Sequence, residues 1–292
     1  MNKTVVEDAM DFKELFPEVI TKQEVKQSED YIIVEQDGHV LHFPKSSLTK
    51  RELCLLQMTQ SLEEASSVDS QNPWYRYLVE GRGRLPQSHS AVQFIFIEHQ
   101  FTLSEELKDF LSPLVINVET IMTINQTQSV MILNQDNFFN ATELLTDILP
   151  TIENDFNTRL RCYFGNSWTH LQAVDWKELY EEEYKLFTLF LSHKAEQHYC
   201  RFPKMALWAL ANQSPMPSIK AKCLQHILDT SDTSAIIKAL WQEQGNLAKT
   251  AKALFIHRNS LQYKLDKFTQ SSGLNLKILD DLAYAYLISM DT

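Results

Sequence analysis

Residues 245–268 read GNLAKTAKALFIHRNSLQYKLDKF. Lys249, Lys252, Arg258, Lys264 and Lys267 stand against a single acid, Asp266, so the stretch carries five minus one, or +4. The whole chain of 292 residues stands at −11, which leaves −15 for everything else. Gly245 suits the left-handed position that ends one helix, and Asn246 suits the N-cap of the next. Leu247, Ala251 and Leu254 share one face of that helix, with Ala251 small enough for two helices to approach closely. Phe255-Ile256-His257 is long enough only for a tight turn, with Ile256 plugging the space between the helices. A second helix begins around Arg258, where Leu261, Leu265 and Phe268 fall at i, i+4 and i+7 and form one buried stripe. At about 100° per residue, Asn259, Tyr263 and Lys267 point away from that stripe. His257 and Arg258 sit at the tip. This is helix-turn-helix geometry, in which the second helix enters a major groove tip first.

The residue chemistry suits that placement. Arginine pairs bidentately with guanine O6 and N7, and asparagine with adenine N6 and N7. Flanking lysines meet phosphates and release counterions, and exposed helix N-terminal amides attract phosphate. A solvated face on a helical bundle is the plain alternative for such charge. The three-residue turn, and the concentration of positive charge within an acidic chain, favour nucleic acid. An acidic surface elsewhere repels phosphate, so the contact is expected to be local.

Upstream, YIIVEQDGHVLHFP (31–44) predicts a hairpin around Asp37-Gly38. A polar helix is expected over 1–26. Another is expected from Ser46–Thr49 to about Glu64, with Leu55, Met58 and Leu62 on its apolar stripe. Residues 66–73 read as a linker. The chain then alternates. Strands are expected at 91–99, 116–124, 129–134 and 158–165, the last ended by Gly165. Helices are expected at 103–114, capped at Ser104, at 141–156, where Pro150 should kink or divide it, and at 176–193. The order β-α-β-β-α-β-α predicts an α+β, ferredoxin-like sheet with helices on one face. From about 216 the chain reads as helical, closing with an apolar helix over 276–290. Three parts follow: a module of no assigned role (1–90), an α+β regulatory domain (91–215) and an all-helical C-terminal helix-turn-helix domain (216–292).

The segment GNLAKTAKALFIHRNSLQYKLDKFTQSSGLNL resembles the C-terminal helix-turn-helix of the PucR/CdaR family of bacterial transcriptional regulators. That motif runs approximately G-N-x-x-x-T-A-x-x-L-x-[IV]-H-R-N-[ST]-L-x-Y-[RK]-L, followed by a G-L-x-L turn. Gly245, Asn246, Thr250, Ala251, Leu254, Ile256, His257, Arg258, Asn259, Ser260, Leu261, Tyr263, Lys264, Leu265, Gly273, Leu274 and Leu276 match it, over about 235–288. The stretch is also similar to the DNA-binding end of the factor for inversion stimulation. The resemblance implies Arg258 and Asn259 as base readers with His257 at the tip. It implies Ser260, Tyr263 and Lys264 as phosphate or groove contacts and places Asn246 and Thr250 near the DNA backbone. Gln262 and Lys267 complete the DNA-facing set. In element order, residues 91–212 are similar to the degenerate GGDEF-like domain that precedes this motif in many relatives. No G-G-D-E-F run is present, so cyclase activity is not expected.

Composition bounds the rest. Forty-four per cent hydrophobic and 22% charged residues describe a folded globular chain. Cys54, Cys162, Cys200 and Cys223 form no C-x-x-C pair and read as reduced, mostly buried thiols. Cys223 and His226 lie three apart without a second pair, and HKAEQH (193–198) fits neither zinc-helix motif, so no metal is expected. Six glycines include no phosphate-cradling loop, and no cofactor is expected. Glu181-Glu182-Glu183 reads as a solvated face. No signal-peptide h-region and no apolar run near about 18 residues occurs, so a soluble, cytoplasmic protein without membrane contact is expected. The reading is a non-enzymatic, sequence-specific regulator of transcription. It would bind double-stranded DNA as a homodimer and activate a metabolic operon in response to a small molecule bound upstream of residue 216. The alternative is a protein–protein adaptor whose helix-turn-helix no longer binds DNA.

Overall fold

The computed structural model describes residues 31–36, 39–53, 70–100, 103–194, 196–229 and 232–290. The chain forms two compact units, 1–68 and 69–292. In the first, strands β1 (Tyr31–Gln36) and β2 (His39–Pro44) pair antiparallel, with Tyr31 opposite Pro44 and Gln36 opposite His39. A helix starts after Thr49 through a capping box. The Thr49 backbone N–H donates to Glu52 Oε2 at 2.8 Å, and the Glu52 N–H donates to Thr49 Oγ1 at 3.3 Å. The expected helix over 1–26, the Asp37-Gly38 turn and the stripe Leu55, Met58 and Leu62 lie outside the described residues.

The second unit begins earlier than the boundary expected at residue 90. Asn72 caps helix α1 (Pro73–Leu78), accepting from the Trp74 N–H. Trp74 and Leu78 are buried, with Trp74 lying 5.2 Å from the Trp176 ring. The aromatic run of this segment therefore belongs to the core of the second unit.

A five-stranded sheet follows in the order β4-β5-β3-β6-β7. Its members are β3 (Ala91–His99), β4 (Val118–Asn125), β5 (Gln128–Asn134), β6 (Leu160–Thr169) and β7 (Tyr199–Arg201). The first four pair antiparallel, and β7 adds parallel to β6. Helices α2 (Glu105–Leu114) and α3 (Ala141–Asp155) connect β3 to β4 and β5 to β6, the β-α-β-β-α-β pattern of ferredoxin-like folds. Strand alternation sorts the core. Ile95, Ile97, Met131 and Leu133 meet Leu107, Leu111, Leu145 and Leu149 of α2 and α3 on one face. Val92, Phe94, Phe96, Val130 and Ile132 meet α4 (Ala173–His193) and the C-terminal helices on the other. Helices thus cover both faces, not one as expected, because α4 brings a second apolar stripe (Trp176, Leu179, Leu186, Phe187, Phe190) to the sheet.

Three local features of the structure differ from those expected. Gly165 does not end its strand, because β6 runs on to Thr169. It sits in a bulge, where register against β3 shifts between Gln93 and Ile95. The extra residue flips parity, so Tyr163 and Trp168 reach the same core. Pro150 does not divide α3. The proline is exposed and the helix continues to Asp155. Of the triplet Glu181-Glu182-Glu183, only Glu181 lies on the solvated face expected. Glu182 caps another helix, accepting from the Ser218 N–H at 3.0 Å and the Ile219 N–H at 2.8 Å. Glu183 is fully buried. Its Oε1 accepts from the Asn166 N–H at 2.8 Å and Trp168 Nε1–H at 2.9 Å. Burial still pushes its pKa up to about 8.

Helical structure starts at α5 (Phe202–Ala211), directly after β7, and continues through α6 (Pro217–Leu228), α7 (Thr233–Gln242), α8 (Leu247–Ala253), α9 (Arg258–Ser272) and α10 (Leu279–Ser289). These helices share one hydrophobic core with the sheet. The chain is therefore not cut into compact bodies at 215, where a boundary was expected. Phe202 packs edge-on to Tyr284 at 5.4 Å, and Arg201 pairs with the buried Asp281 at 3.2 Å. No helix among the described residues is long and apolar enough to cross a membrane.

Candidate nucleic-acid interface

Each end of α8 and α9 is built by the backbone chemistry of its own residues. Helix α7 closes with Gln244 and Gly245 both at positive φ, and the Gly245 N–H donates to Leu240 O. Asn246 caps α8, its Oδ1 accepting from the Lys249 N–H at 3.1 Å. Helix α8 ends in a Schellman motif: the Phe255 N–H donates to Lys252 O and the Ile256 N–H to Ala251 O. His257 then caps α9, with Nδ1 accepting from the Asn259 N–H at 3.2 Å. Ala251, Leu261, Leu265 and Phe268 are buried between the helices and the core, and Ile256 packs against the same cluster.

What remains outside is the first turn of α9 and one side of it. His257, Arg258, Asn259 and Ser260 are all exposed, as are Tyr263 and Lys267. Lys249 and Lys252 are exposed on the neighbouring helix. The N-terminal end of the α9 dipole lies at the same place and adds positive potential. Asp266, the one acid of the stretch, is offset. Lys277 at 2.9 Å and Gln262 at 2.9 and 3.1 Å bond its carboxylate and hold its pKa below the usual range.

Not every expected contact residue reaches this surface. Thr250 is fully buried, and its Oγ1 donates to Asn246 O at 2.8 Å. Its place in the motif is structural: a small residue whose buried hydroxyl is satisfied by the N-cap carbonyl of α8, which also accepts from its backbone N–H. Lys264 turns sideways to an ion pair with Asp232, at the N-cap of α7, which lowers the Asp232 pKa. Gln262 is half-buried and spent on Asp266. The Asn246 side chain is committed to its cap. Residue identity alone did not distinguish these from the exposed set. Phe255 carries no comparable signal in the sequence. It is 97% exposed with φ of 55°, yet reads in sequence as a turn filler.

A cleft of about 670 Å³ runs beside α9, between it and α6–α7, with His170, His226, Asp229, Lys264 and Phe268 among its walls. His226 is buried. Desolvation, then Lys222 and His170, depress its pKa to about 4, so it is neutral at physiological pH. Its helix neighbour Cys223 is buried too, with a thiol pushed up to about 12. No cluster of three or more metal-ligating side chains occurs among the described residues.

An exposed basic helix tip on a tight two-helix turn defines a helix-turn-helix protein, and residues 235–288 match the PucR C-terminal helix-turn-helix domain. Over 278 residues the chain is 37% identical to "Leucine-rich protein" of Streptococcus dysgalactiae subsp. equisimilis, covering 95% of this chain and 98% of that protein. It belongs to that protein's family, within the PucR-type helix-turn-helix group. It is also 23% identical over 281 residues to "Uncharacterized protein YxkF" of Bacillus subtilis (strain 168), covering 88% and 89% of the two chains. Among solved structures it is similar to a regulator of polyketide synthase expression from Bifidobacterium adolescentis, at 12% identity and a TM-score of 0.33 over 70% of this chain and 81% of that one. That likeness is too slight to carry an argument.

Proposed function

We propose that the protein is a sequence-specific, DNA-binding regulator of transcription, without enzymatic activity, acting in the cytoplasm. The observation that carries this reading is the exposed first turn of α9, with Arg258 and Asn259 free to meet base edges beside Lys249, Lys252 and Lys267. His257 holds the tip by capping it, and Ser260 and Tyr263 line the approach. A gel shift against genomic fragments at stated salt tests it. The expected result is a shift for selected fragments that is lost in Arg258→Ala. If the wild type shifts none even at low salt and instead retains a protein partner, the adaptor reading replaces this one.

One helix-turn-helix reads few bases, so binding as a homodimer to half-sites about one helical turn apart is part of the proposal. Exposed Leu279, Leu287 and Met290 on and beside α10 support an interface there. We read the sheet, in its element order, as a degenerate GGDEF-like domain that senses a small molecule and drives activation of a metabolic operon. A cavity of about 450 Å³ supports that link. Gln93 and Ser167 of the sheet line it together with Thr269 and Gly273 at the far end of α9. Asn166 Nδ2–H donates to Ser272 O at 2.8 Å beside it, so a ligand there would touch the anchor of the recognition helix.

A further inference from the structure

We infer that Phe255 is a specificity-determining residue that places its ring against a thymine methyl at the edge of the major groove; the inference rests on the DNA-binding reading above. Six non-glycine residues among those described have positive φ: Asn117, Asn157, His170, Gln213, Gln244 and Phe255. Phe255 alone is apolar. It occupies the residue after the α8 C-cap, where the left-handed conformation disfavours any Cβ and glycine or asparagine is the relaxed choice. Its backbone bonds to Lys252 and sets the turn, but a glycine would make the same bond. The side chain contributes nothing to the fold: it is 97% exposed, while the next residue, Ile256, does the packing against the core. Folding thus gains neither from the residue's conformation nor from its burial. A single exposed apolar residue needs no explanation, but one held in a left-handed conformation that its own burial does not reward points to a function outside the molecule.

The position says what that partner is. Phe255 stands two residues before His257, the cap of α9, and is bracketed by the exposed cations Lys252 and Arg258. A helix tip seated in a major groove brings this turn to the groove wall, where sugars, phosphates and base methyls are exposed. Lysine and arginine take the phosphates. An uncharged aromatic ring has the thymine C5-methyl as its natural complement, the one apolar group on the groove edge of a base pair.

The test uses the full chain and a duplex site selected from random sequence by the wild-type protein. Phe255→Asn tolerates the backbone conformation. It is expected to melt at or above the wild-type temperature, yet to bind the selected site about five- to tenfold more weakly, the lower part of the range for losing one base-pair contact. The slope of affinity against salt should not change, since no charge is lost. Replacing the site's thymines by uracil, one at a time, should at one position weaken the wild type by a similar factor and leave Phe255→Asn unaffected. Equal affinity of the two proteins for the thymine site overturns the inference while leaving DNA binding intact. A wild type that selects no sequence overturns the DNA-binding reading itself, and this inference with it.

Discussion

At the scale of single residues, the interface separates into side chains that are free and side chains already occupied. Arg258 and Lys267 are both exposed, but at different places on α9. On the proposed reading Arg258, at the tip, reads a base. Its replacement by alanine should cost about 1–3 kcal/mol at the preferred site and relax the preference at one position. Lys267, two turns further on, should meet phosphate. Lys267→Ala should weaken all sequences evenly and reduce the salt slope by about 1. Anisotropy titrations over a salt series distinguish the two. Thr250→Val separates fold from function. The buried hydroxyl bonded to Asn246 O should cost roughly 1 kcal/mol of stability when removed. DNA affinity of the folded fraction should not change, which urea unfolding and titration measured on one preparation will show. Asn246 is legible in sequence as a cap, but only hydrogen bonds show that His257 caps α9 and that Thr250 is an internal brace.

At the scale of elements, the β6 bulge and α4 are interdependent. A Cβ on Gly165 would overlap Glu183 Oε2 and lie 2.6 Å from Phe94 O, so the glycine makes room for a buried carboxylate. Gly165→Ala should destabilise by about 1–3 kcal/mol through overpacking. Combined with Glu183→Ala it should show a cost below the sum of the two, because the nearer of the two obstructing oxygens is gone while the Phe94 carbonyl remains. Chemical denaturation of the four proteins measures that coupling. Strand and helix periods, with the caps at Ser104 and Asn246, located most of these elements. The sequence could not place Gly165 mid-strand or bury Glu182 and Glu183. A glycine before polar residues looks like a strand end and an acidic triplet looks like surface, until the facing elements are known.

At the scale of the whole molecule, one titration reports the join between the sheet and its second layer. Glu183 has a folded pKa of about 8 against an ordinary 4.5. Below about pH 4.5 the carboxyl is protonated both folded and unfolded. Between about 4.5 and 8 the folded chain keeps a proton that the unfolded chain has released, so stability falls as pH rises. Above about 8 the full cost of a buried carboxylate is present. Glu183→Gln keeps the acceptor for Asn166 and Trp168 without the charge. Its melting temperature should therefore decline less than the wild type's from pH 5 to 8.5, measured calorimetrically.

The segment 245–268 determined, by local rules alone, a pair of short helices, the cap of the first, and the buried stripe and basic tip of the second. Helix capping, turn length and a 3.6-residue period depend on neighbours a few positions away, and those neighbours are in the sequence. The tertiary structure alone decided that the sheet is covered on both faces, that Trp74 and Leu78 belong to its core and that the helix-turn-helix is fixed to β6 through Asn166 and Ser272. It alone decided which polar side chains of the motif are spent inward and which remain for a ligand. Those outcomes depend on pairings across up to about a hundred residues of chain, and burial is a property of what packs opposite, which no local pattern contains.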